Sequence, residues 1–276
     1  MALVTGGSSG IGKAAALALV ARGFDVVATS RDTSRVTPLD GVTFVDLDVA
    51  HDAEVTAAVD QVIERFGRID VLVNNAGIGS LGAAEETSVA QAQGVFDVNV
   101  FGVMRMVRAV LPHMRARGRG RIINVSSVQG FIPAPYMAVY GASKHAIEGY
   151  SESLDHEVRE YGVRVLLVEP AYTRTGFEAG SGRADTPLPV YAAQRELFDG
   201  VLTAAFKDGD DPAVVAKVIV AAATDPKPKP RYTAGPLAGR VRILRRSGLG
   251  LRQADPQAQP AGRLTPVPRT RSISTG

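Results

Sequence analysis

Apolar residues fall into two patterns along this chain. Short runs of consecutive apolar and β-branched residues recur as ALVT, DVVATS, VTFVDLDV, IDVLVNNAG, RIINVSS and VRVLLVEP. Strands that do not alternate between apolar and polar positions are typical of a parallel sheet covered on both faces. Longer segments between them, such as AEVTAAVDQVIERFG and SKHAIEGYSESLDHEVREYG, have helical spacing and end at Gly67 and Gly162.

Strand-like and helix-like segments alternate along the chain. This order predicts an α/β fold with a doubly wound parallel sheet of the Rossmann type, in a single domain that we place at residues 1–251. The first helix, GKAAALALVARG, is predicted to end at Gly23. Residues 88–117 are predicted to form a long helical stretch with interruptions near Gly102 and Pro112.

Two segments depart from this regular order. Residues from about 176 to 200 begin with GFEAGSGRADTPLP, which is rich in Gly and Pro, before the helical pattern returns. A long connection in an α/β protein is often a lid, and we predict a substrate loop here. Residues 252–276 contain almost no large apolar side chains and are predicted to be a disordered tail.

The composition narrows the possible chemistry. The 276 residues include no cysteine, which excludes disulfides, thiolate metal sites and cysteine nucleophiles. The four histidines are scattered without metal-ligand spacing, so no metal site is predicted. No apolar run approaches the roughly 20 residues that span a membrane. The start MALVTGG lacks the basic region and cleavage site of a signal peptide, and we predict a cytoplasmic protein without a membrane span.

The net charge of +3 is unevenly distributed. From Arg240 to the last residue there are eight Arg, no Lys and one acid, a net +7 that leaves −4 for the rest of the chain. A basic tail can indicate nucleic-acid binding, but this one has no aromatic residue for base stacking and no known binding motif. We interpret it as a solvated end and predict no nucleic-acid partner.

A glycine-rich loop follows the first strand. TGGSSGIG has the pattern Gly6-x-x-x-Gly10-x-Gly12 and lies directly before the first helix. Glycines let the backbone approach a pyrophosphate, and a helix N-terminus favours the anion. The loop is therefore predicted to bind a nucleotide, with either Ser8 or Ser9 available to bond a phosphate; a plain tight turn is the competing interpretation.

The end of the second strand bears on the choice of cofactor. An acid is expected there if the cofactor is NAD, because it would bond the adenosine ribose. The sequence reads ATSRD, with Ser30 in the expected acidic position and Arg31 after it. A guanidinium there can pair with a 2′-phosphate, which predicts NADP(H). NAD stays possible because Asp32 is adjacent.

Seven segments together resemble the classical short-chain dehydrogenase/reductase family, over residues 1 to about 240. They are TGGSSGIG (5–12), DLDV (46–49), NNAG (74–77), Asn99 in DVNVFG, the serines of NVSSVQG (126–127), YGASK (140–144) and EPAYTRT (169–175). DVNVFGVMRMVRAVLPHMRARGRGR and ASKHAIEGYSESL are most similar to the branch with 17β-hydroxysteroid and retinol dehydrogenases. One departure is Ala171, which stands where the family often has glycine after Pro170.

The resemblance implies the roles of four residues in hydride transfer. A phenol has a pKa near 10, and a cation one helical turn away lowers it. Tyr140 is therefore implied as general acid/base and Lys144 as its electrostatic partner, which also bonds the nicotinamide ribose. Ser127 is implied to bond the substrate oxygen, although Ser126 is the competing choice. Asn99 is implied to hold a water for proton relay to the lysine.

The resemblance also implies a set of cofactor contacts and, by position, an apolar substrate wall. Asp48 and Val49 are expected at the adenine and Thr175 at the carboxamide. The cofactor set is Gly6, Ser8, Ser9, Gly10, Ile11, Gly12, Arg31, Asp48, Val49, Asn75, Ala76, Gly77, Tyr140, Lys144, Pro170, Thr173 and Thr175. The substrate wall is predicted to comprise Ile132, Pro133, Tyr136, Met137, Leu81, Phe177, Tyr191 and Phe198.

These implications favour an NADP(H)-dependent carbonyl reductase or secondary-alcohol dehydrogenase with a bulky hydrophobic substrate. Two alternatives stay open: a 3-oxoacyl thioester reductase and, from another class, a non-catalytic NADP(H)-binding sensor. The sensor is disfavoured because Asn99, Ser127, Tyr140 and Lys144 are all present. Members of the family commonly form dimers or tetramers, which implies a homodimer or homotetramer here.

Overall fold

The computed structural model describes residues 1–246. The predicted tail at residues 252–276 and the predicted domain end at residue 251 lie outside the described residues.

A parallel sheet forms the centre of the protein. The described strands are β1 (Ala2–Val4), β2 (Val26–Ser30), β3 (Val42–Asp46), β4 (Val71–Asn74), β5 (Ser80–Leu81), β6 (Gly120–Val125), β7 (Val163–Pro170), β8 (Gly182–Arg183) and β9 (Arg231–Ala234). Seven of them pair in the order β3-β2-β1-β4-β6-β7-β9, and β5 pairs with β8 in a separate short sheet. All these pairings are parallel. The direction of winding reverses between β1 and β4, where this type of fold places its ligand crevice.

Helices cover both faces of the sheet, as predicted. They are α1 (Gly10–Val20), α2 (Asp52–Phe66), α3 (Val89–Phe96), α4 (Gly102–Ala116), α5 (Ala138–Val158), α6 (Ala192–Lys207), α7 (Pro212–Thr224) and α8 (Pro236–Arg246). Leu3 on β1 packs with apolar residues of α2, α4 and α5, whereas its neighbours Ala2 and Val4 pack with those of α1 and α7. Successive side chains point to opposite faces, so both faces need apolar residues, which explains the uninterrupted apolar runs.

The helical stretch at residues 88–117 differs from its prediction. It divides into α3, a π-helical turn at Asp97–Phe101, and α4, so the interruption precedes Gly102. Pro112 lies inside α4 without ending it. Both Pro112 and Arg108, whose carbonyl loses its helical partner, are exposed, so water can satisfy that carbonyl. The predicted interruption at Pro112 is therefore wrong.

Helix ends follow the glycines with one exception. Gly67 and Gly162 adopt left-handed conformations, with φ of 69° and 73°, at the ends of their helical segments. Helix α1 ends earlier than predicted, at Val20, and Gly23 (φ 82°) lies in the turn beyond it. Sequence analysis did not find the short strands β5 and β8 or the elements α7, β9 and α8.

Among the described residues, no helix is both long and apolar enough to cross a membrane.

Candidate active site

A cleft of about 490 Å³ opens at the carboxyl ends of the central strands. It brings together all the predicted catalytic and cofactor-binding residues except Gly12 and Asn99. Those that line it are Gly6, Ser8, Ser9, Gly10, Ile11, Arg31, Asp48, Val49, Asn75, Ala76, Gly77, Ser127, Tyr140, Lys144, Pro170, Thr173 and Thr175. Residues as far apart in the sequence as Gly6 and Thr175 thus share one surface, which the sheet order makes possible.

The glycine loop has the backbone geometry that its sequence predicts. Gly6 and Gly10 have φ of 62° and 51°, a left-handed region that side chains rarely adopt. Gly12 lies beneath the loop, where an added Cβ would fall 2.2 Å from the carbonyl oxygen of Gly6 and 2.5 Å from Asn75 Nδ2. Gly12 therefore supports the loop by close packing and does not face the cleft.

Hydrogen bonds fasten this loop to the end of β4. The hydroxyl of Thr5 accepts bonds from the backbone N–H groups of Asn75 and Ala76, each at 3.0 Å. The side-chain amide of Asn75 donates to the carbonyls of Thr5 and Gly6, each also at 3.0 Å. Asn75 therefore fixes the shape of the loop in addition to lining the cleft.

The start of α1 leaves donors open to the cleft. Ser9 is the N-cap residue, yet its side chain makes no capping hydrogen bond, and the first turn contains no acid. The first backbone N–H groups of a helix need partners, and the helix dipole favours an anion there. These residues fit the pyrophosphate of a dinucleotide.

Arg31 lies at the far end of the cleft and is exposed, without a hydrogen bond or ion pair to any described residue. Its neighbour Asp32 is engaged locally. Asp32 accepts a hydrogen bond from the backbone of Ser34 at 3.1 Å and forms an ion pair with Arg35 at 2.9 Å. Arg31 is thus available for an external anion, while the charge of Asp32 is directed to Arg35.

Tyr140 and Lys144 share the first turns of α5, as their spacing predicts. Tyr140 is buried, and the Lys144 ammonium lies 5.7 Å from the centre of its ring. The ammonium donates a hydrogen bond to the carbonyl of Val125, the last residue of β6, at 2.9 Å. Ser127 follows that strand, and its hydroxyl accepts a bond from the backbone of Gln129 at 3.1 Å.

Burial controls the ionisation of both side chains. It raises the pKa of Tyr140 to about 12, although a hydrogen bond with Ser127 partly offsets it. Burial also lowers the pKa of Lys144 to about 8, and the nearby carboxylate of Glu148 opposes that change. The expectation that Lys144 would lower the pKa of Tyr140 is not met in this structure, because burial raises that pKa and the group that partly lowers it is Ser127.

Asn99 lies in the π-helical turn and is buried behind the cleft. Its amide oxygen accepts a hydrogen bond from the backbone N–H of Ile78, and its amide nitrogen donates to the Ile78 carbonyl, both at 2.9 Å. The amide nitrogen also donates to the hydroxyl of Ser143 at 3.1 Å. Both ends of the side chain are thus engaged, so it ties the 77–78 segment to α5, whereas the sequence implied that it holds a water.

An apolar cluster forms the other half of the cleft. Its buried members are Leu81, Met137, Tyr140 and Leu202, packed against Ala134, Tyr172, Phe177, Phe198 and Phe206. Of the eight predicted wall residues, only Met137 and Phe177 line the cleft. Leu81 and Phe198 belong to the cluster without lining the cleft. The remaining four do neither: Ile132, Pro133, Tyr136 and Tyr191. Tyr172 and Phe206 line it and were not predicted. The spacing of Phe198, Leu202 and Phe206 along one face of α6 could have identified Phe206.

Residues 176–207 cover this apolar half, as the predicted substrate loop would, and one carboxylate anchors them. Glu86 is fully buried and accepts hydrogen bonds from the backbones of Leu188, at 2.7 Å, and Ala83, at 3.0 Å. It also forms an ion pair with Arg195 on α6. These bonds lower the pKa of Glu86, the bond from the Leu188 N–H most of all. Sequence analysis missed this residue because no local pattern marks it.

Comparison with known proteins gives a family match. The model of the short chain dehydrogenase family matches residues 1–185. A 3-ketodihydrosphingosine reductase from Bacteroides thetaiotaomicron is 45% identical over 175 residues, 63% of this chain, and the match spans 64% of that reductase. Retinol dehydrogenase 8 from Bos taurus is 38% identical over 248 residues, covering 79% of this chain and 76% of its own.

Solved structures extend the match to most of the chain. A short-chain dehydrogenase from Streptomyces avermitilis has a TM-score of 0.82 with 35% identity, over 90% of this chain and 92% of its own. A Burkholderia phymatum homologue in complex with NAD has a TM-score of 0.77 with 28% identity, over 96% and 97%. A metagenomic oxidoreductase in complex with NADP has a TM-score of 0.66 with 30% identity, over 86% and 96%. These neighbours support a nicotinamide cofactor without distinguishing NAD from NADP.

Proposed function

The chain belongs to the short-chain dehydrogenase family of oxidoreductases, which act on CH–OH and carbonyl groups, and from this premise we propose that it transfers a hydride between NADP(H) and a bulky hydrophobic ketone or secondary alcohol. The observation that carries the proposal is the meeting of Ser127, Tyr140 and Lys144 on one cleft wall, with the glycine loop and Arg31 on the same cleft.

When bound, NADPH supplies the hydride for reduction. The chain's own residues then manage the proton and the charge on the carbonyl oxygen. The hydroxyls of Ser127 and Tyr140 donate hydrogen bonds to that oxygen, and Tyr140 transfers its proton to the developing alkoxide. The Lys144 ammonium stabilises the phenolate that remains. In oxidation, the phenolate of Tyr140 accepts the proton of the alcohol.

The preference for NADP(H) is supported by the two charged residues after β2. Arg31 has no partner among the described residues, and a 2′-phosphate is a partner that its guanidinium can bond in a bidentate manner. The carboxylate of Asp32, which would repel that phosphate, is turned to Ser34 and Arg35.

The hydrophobic substrate is supported by the apolar cluster beside Tyr140, which contributes Met137, Tyr172, Phe177 and Phe206 to the cleft. Similarity to a 3-ketodihydrosphingosine reductase favours, as a second candidate within the same class, a ketone on a long alkyl chain. The 3-oxoacyl thioester reductase stays an alternative.

The cytoplasmic location and the homodimer or homotetramer stay predictions.

The test is the initial rate of NADPH oxidation with a panel of hydrophobic ketones, long-chain ketones, acyl thioesters and small polar ketones. We expect Tyr140→Phe to lower kcat by roughly 10² to 10⁴, the usual contribution of a positioned acid, without weakening NADPH binding. Ser127→Ala should lower kcat by about 10² or more. Ser126→Ala is the matched control and should retain most activity.

Turnover of small polar ketones alone would contradict the substrate class. Equal rates for wild type and Tyr140→Phe would remove Tyr140 from the mechanism. A larger loss in Ser126→Ala than in Ser127→Ala would reverse their assignment.

A further inference from the structure

Two buried carboxylates lie on α5 and β7, the elements that also carry Lys144 and Pro170 of the cleft. Glu148, one turn after Lys144 on α5, is 4% exposed, and Glu169, on β7, is 1% exposed. Both accept hydrogen bonds from the guanidinium of Arg231 on β9, the bond to Glu169 measuring 2.6 Å. Glu152, one turn further along α5, contacts the same guanidinium, but 52% of its side chain is exposed.

The charges of this buried group balance only when the lysine is protonated. Once Glu148 is ionised, above about pH 7, it and Glu169 contribute two negative charges, and Arg231 supplies one positive charge. Lys144, which is 7% exposed, is the second cation. A buried charge without a compensating partner is costly, whereas solvent screens an exposed one such as Glu152. When Glu148 is neutralised, Glu169 and Arg231 balance each other, and no negative charge of the buried group remains to stabilise the protonated form of Lys144.

Glu148 also faces the turn that carries the catalytic serine. A Cβ added to Gly130 would lie 2.6 Å from both Glu148 Oε1 and the hydroxyl oxygen of Ser126. Among the described residues, neither of these buried oxygens has a hydrogen-bond partner. The Ser126 hydroxyl thus lies on the same side of Gly130 as the Glu148 carboxylate, and both Ser126 and Ser127 line the cleft.

We propose that Glu148 is a positioning residue, which, with Glu169 and Arg231, holds Lys144 in its charged form. This inference rests on the proposed reductase function. The charged groups around Glu148 are Lys144 and Glu152 on its own helix, Glu169 on β7 and Arg231 on β9.

The ionisation behaviour agrees with this geometry. Burial raises the pKa of Glu148 to about 7, while Ser126 and Arg231 lower it in part. The attraction of Glu148 raises the pKa of Lys144, which burial lowers to about 8. Without Glu148, only burial would act, and Lys144 would lose its proton at a lower pH.

The charge of Lys144 can be measured without any substrate. In protein labelled with ¹³Cε-lysine, the Lys144 signal is assigned by its loss in Lys144→Arg and is followed through a pH titration. We expect Glu148→Gln to lower the midpoint by about 1 pH unit or more. Glu152→Gln, which removes a carboxylate from the same helix and the same arginine, should leave it unchanged.

The kinetic consequence is measured separately. The rate of NADPH oxidation should fall at high pH as Lys144 loses its proton. This fall is the alkaline limb of the pH–rate profile. Glu148→Gln should move the alkaline limb to lower pH by as much as it moves the midpoint of the Lys144 titration. Glu152→Gln should not move it. A residue with a purely structural role would lower the rate at every pH without moving the limb.

An unchanged Lys144 midpoint in folded Glu148→Gln would overturn the proposal. A shifted midpoint with an unshifted alkaline limb would overturn the link to the reaction. If Glu148→Gln does not fold, Glu169→Gln removes the same charge from the buried group and should shift the midpoint in the same direction, and no shift there would refute the charge balance. Absence of turnover with a shifted midpoint would count against the reductase function alone.

Discussion

The cofactor half and the substrate half of the cleft are held in shape by different means. On the cofactor side, glycines without side chains and the ends of parallel strands determine the backbone, as at Gly6, Gly10 and Gly12. On the substrate side, residues 176–207 are held by polar side chains from a distant part of the chain. Glu86, for example, bonds the backbone of Leu188, 102 residues away.

This difference has a physical consequence. A loop fixed by steric exclusion tolerates no added atom, because the backbone behind it cannot move. A segment fixed by hydrogen bonds and an ion pair can lose one contact and still retain the others. The two halves should therefore respond to substitution by very different amounts, and in different measurements.

The largest effect is expected for Gly12→Ala. The added Cβ would fall 2.2 Å from the carbonyl oxygen of Gly6, so the glycine loop must shift. We expect NADPH affinity to fall about 100-fold or more, which is ~2.7 kcal/mol, as measured by fluorescence titration. Gly94→Ala is the control, since nothing lies within 4 Å of its Cβ, and it should leave affinity unchanged. Near-normal NADPH binding by Gly12→Ala would show that the glycine loop is not fixed by steric exclusion, and would refute the contrast between the two halves of the cleft.

An intermediate effect is expected for Arg31→Ala. If Arg31 bonds the 2′-phosphate, its loss should raise the Kd for NADPH by roughly 10- to 100-fold, the usual worth of hydrogen bonds to a charged group. The Kd for NADH should not change, because NADH lacks that phosphate. Arg22→Ala removes an exposed cation that does not line the cleft, and it should change neither value by more than about twofold. Equal losses for both cofactors would contradict the NADP(H) preference.

The smallest effect is expected on the substrate side. Arg195→Ala breaks the ion pair with Glu86 but leaves the backbone bonds of Leu188 and Ala83 to that carboxylate. We expect KM for the best ketone to rise about tenfold, while kcat and the Kd for NADPH stay nearly unchanged. This result is typical when an interaction is lost that stabilised the bound substrate and the transition state equally. Arg183→Ala breaks an exposed pair with Asp199 in the same segment and should have little effect. A loss of NADPH affinity in Arg195→Ala would show that the two halves are not independent.

Much of the fold and of the cofactor side could be read from local sequence. Uninterrupted apolar runs indicate a two-sided sheet because successive strand residues face opposite layers, and Leu3 and Val4 do so. Glycines with positive φ mark turns because other residues are strained there. Ala171 shows the limit of such rules: its φ is not positive, so glycine is not required at that position.

The remaining features depend on contacts between residues that the sequence does not relate. The role of Glu86 exists only because the 183–195 segment returns over it, and the Glu148–Glu169–Arg231 cluster joins three elements that α5 and the sheet bring together. The sequence determined that Tyr140 and Lys144 share one face of a helix, since a helical turn fixes their spacing. Only the tertiary structure decided how they ionise, because burial and the charges packed behind them set the pKa of each group.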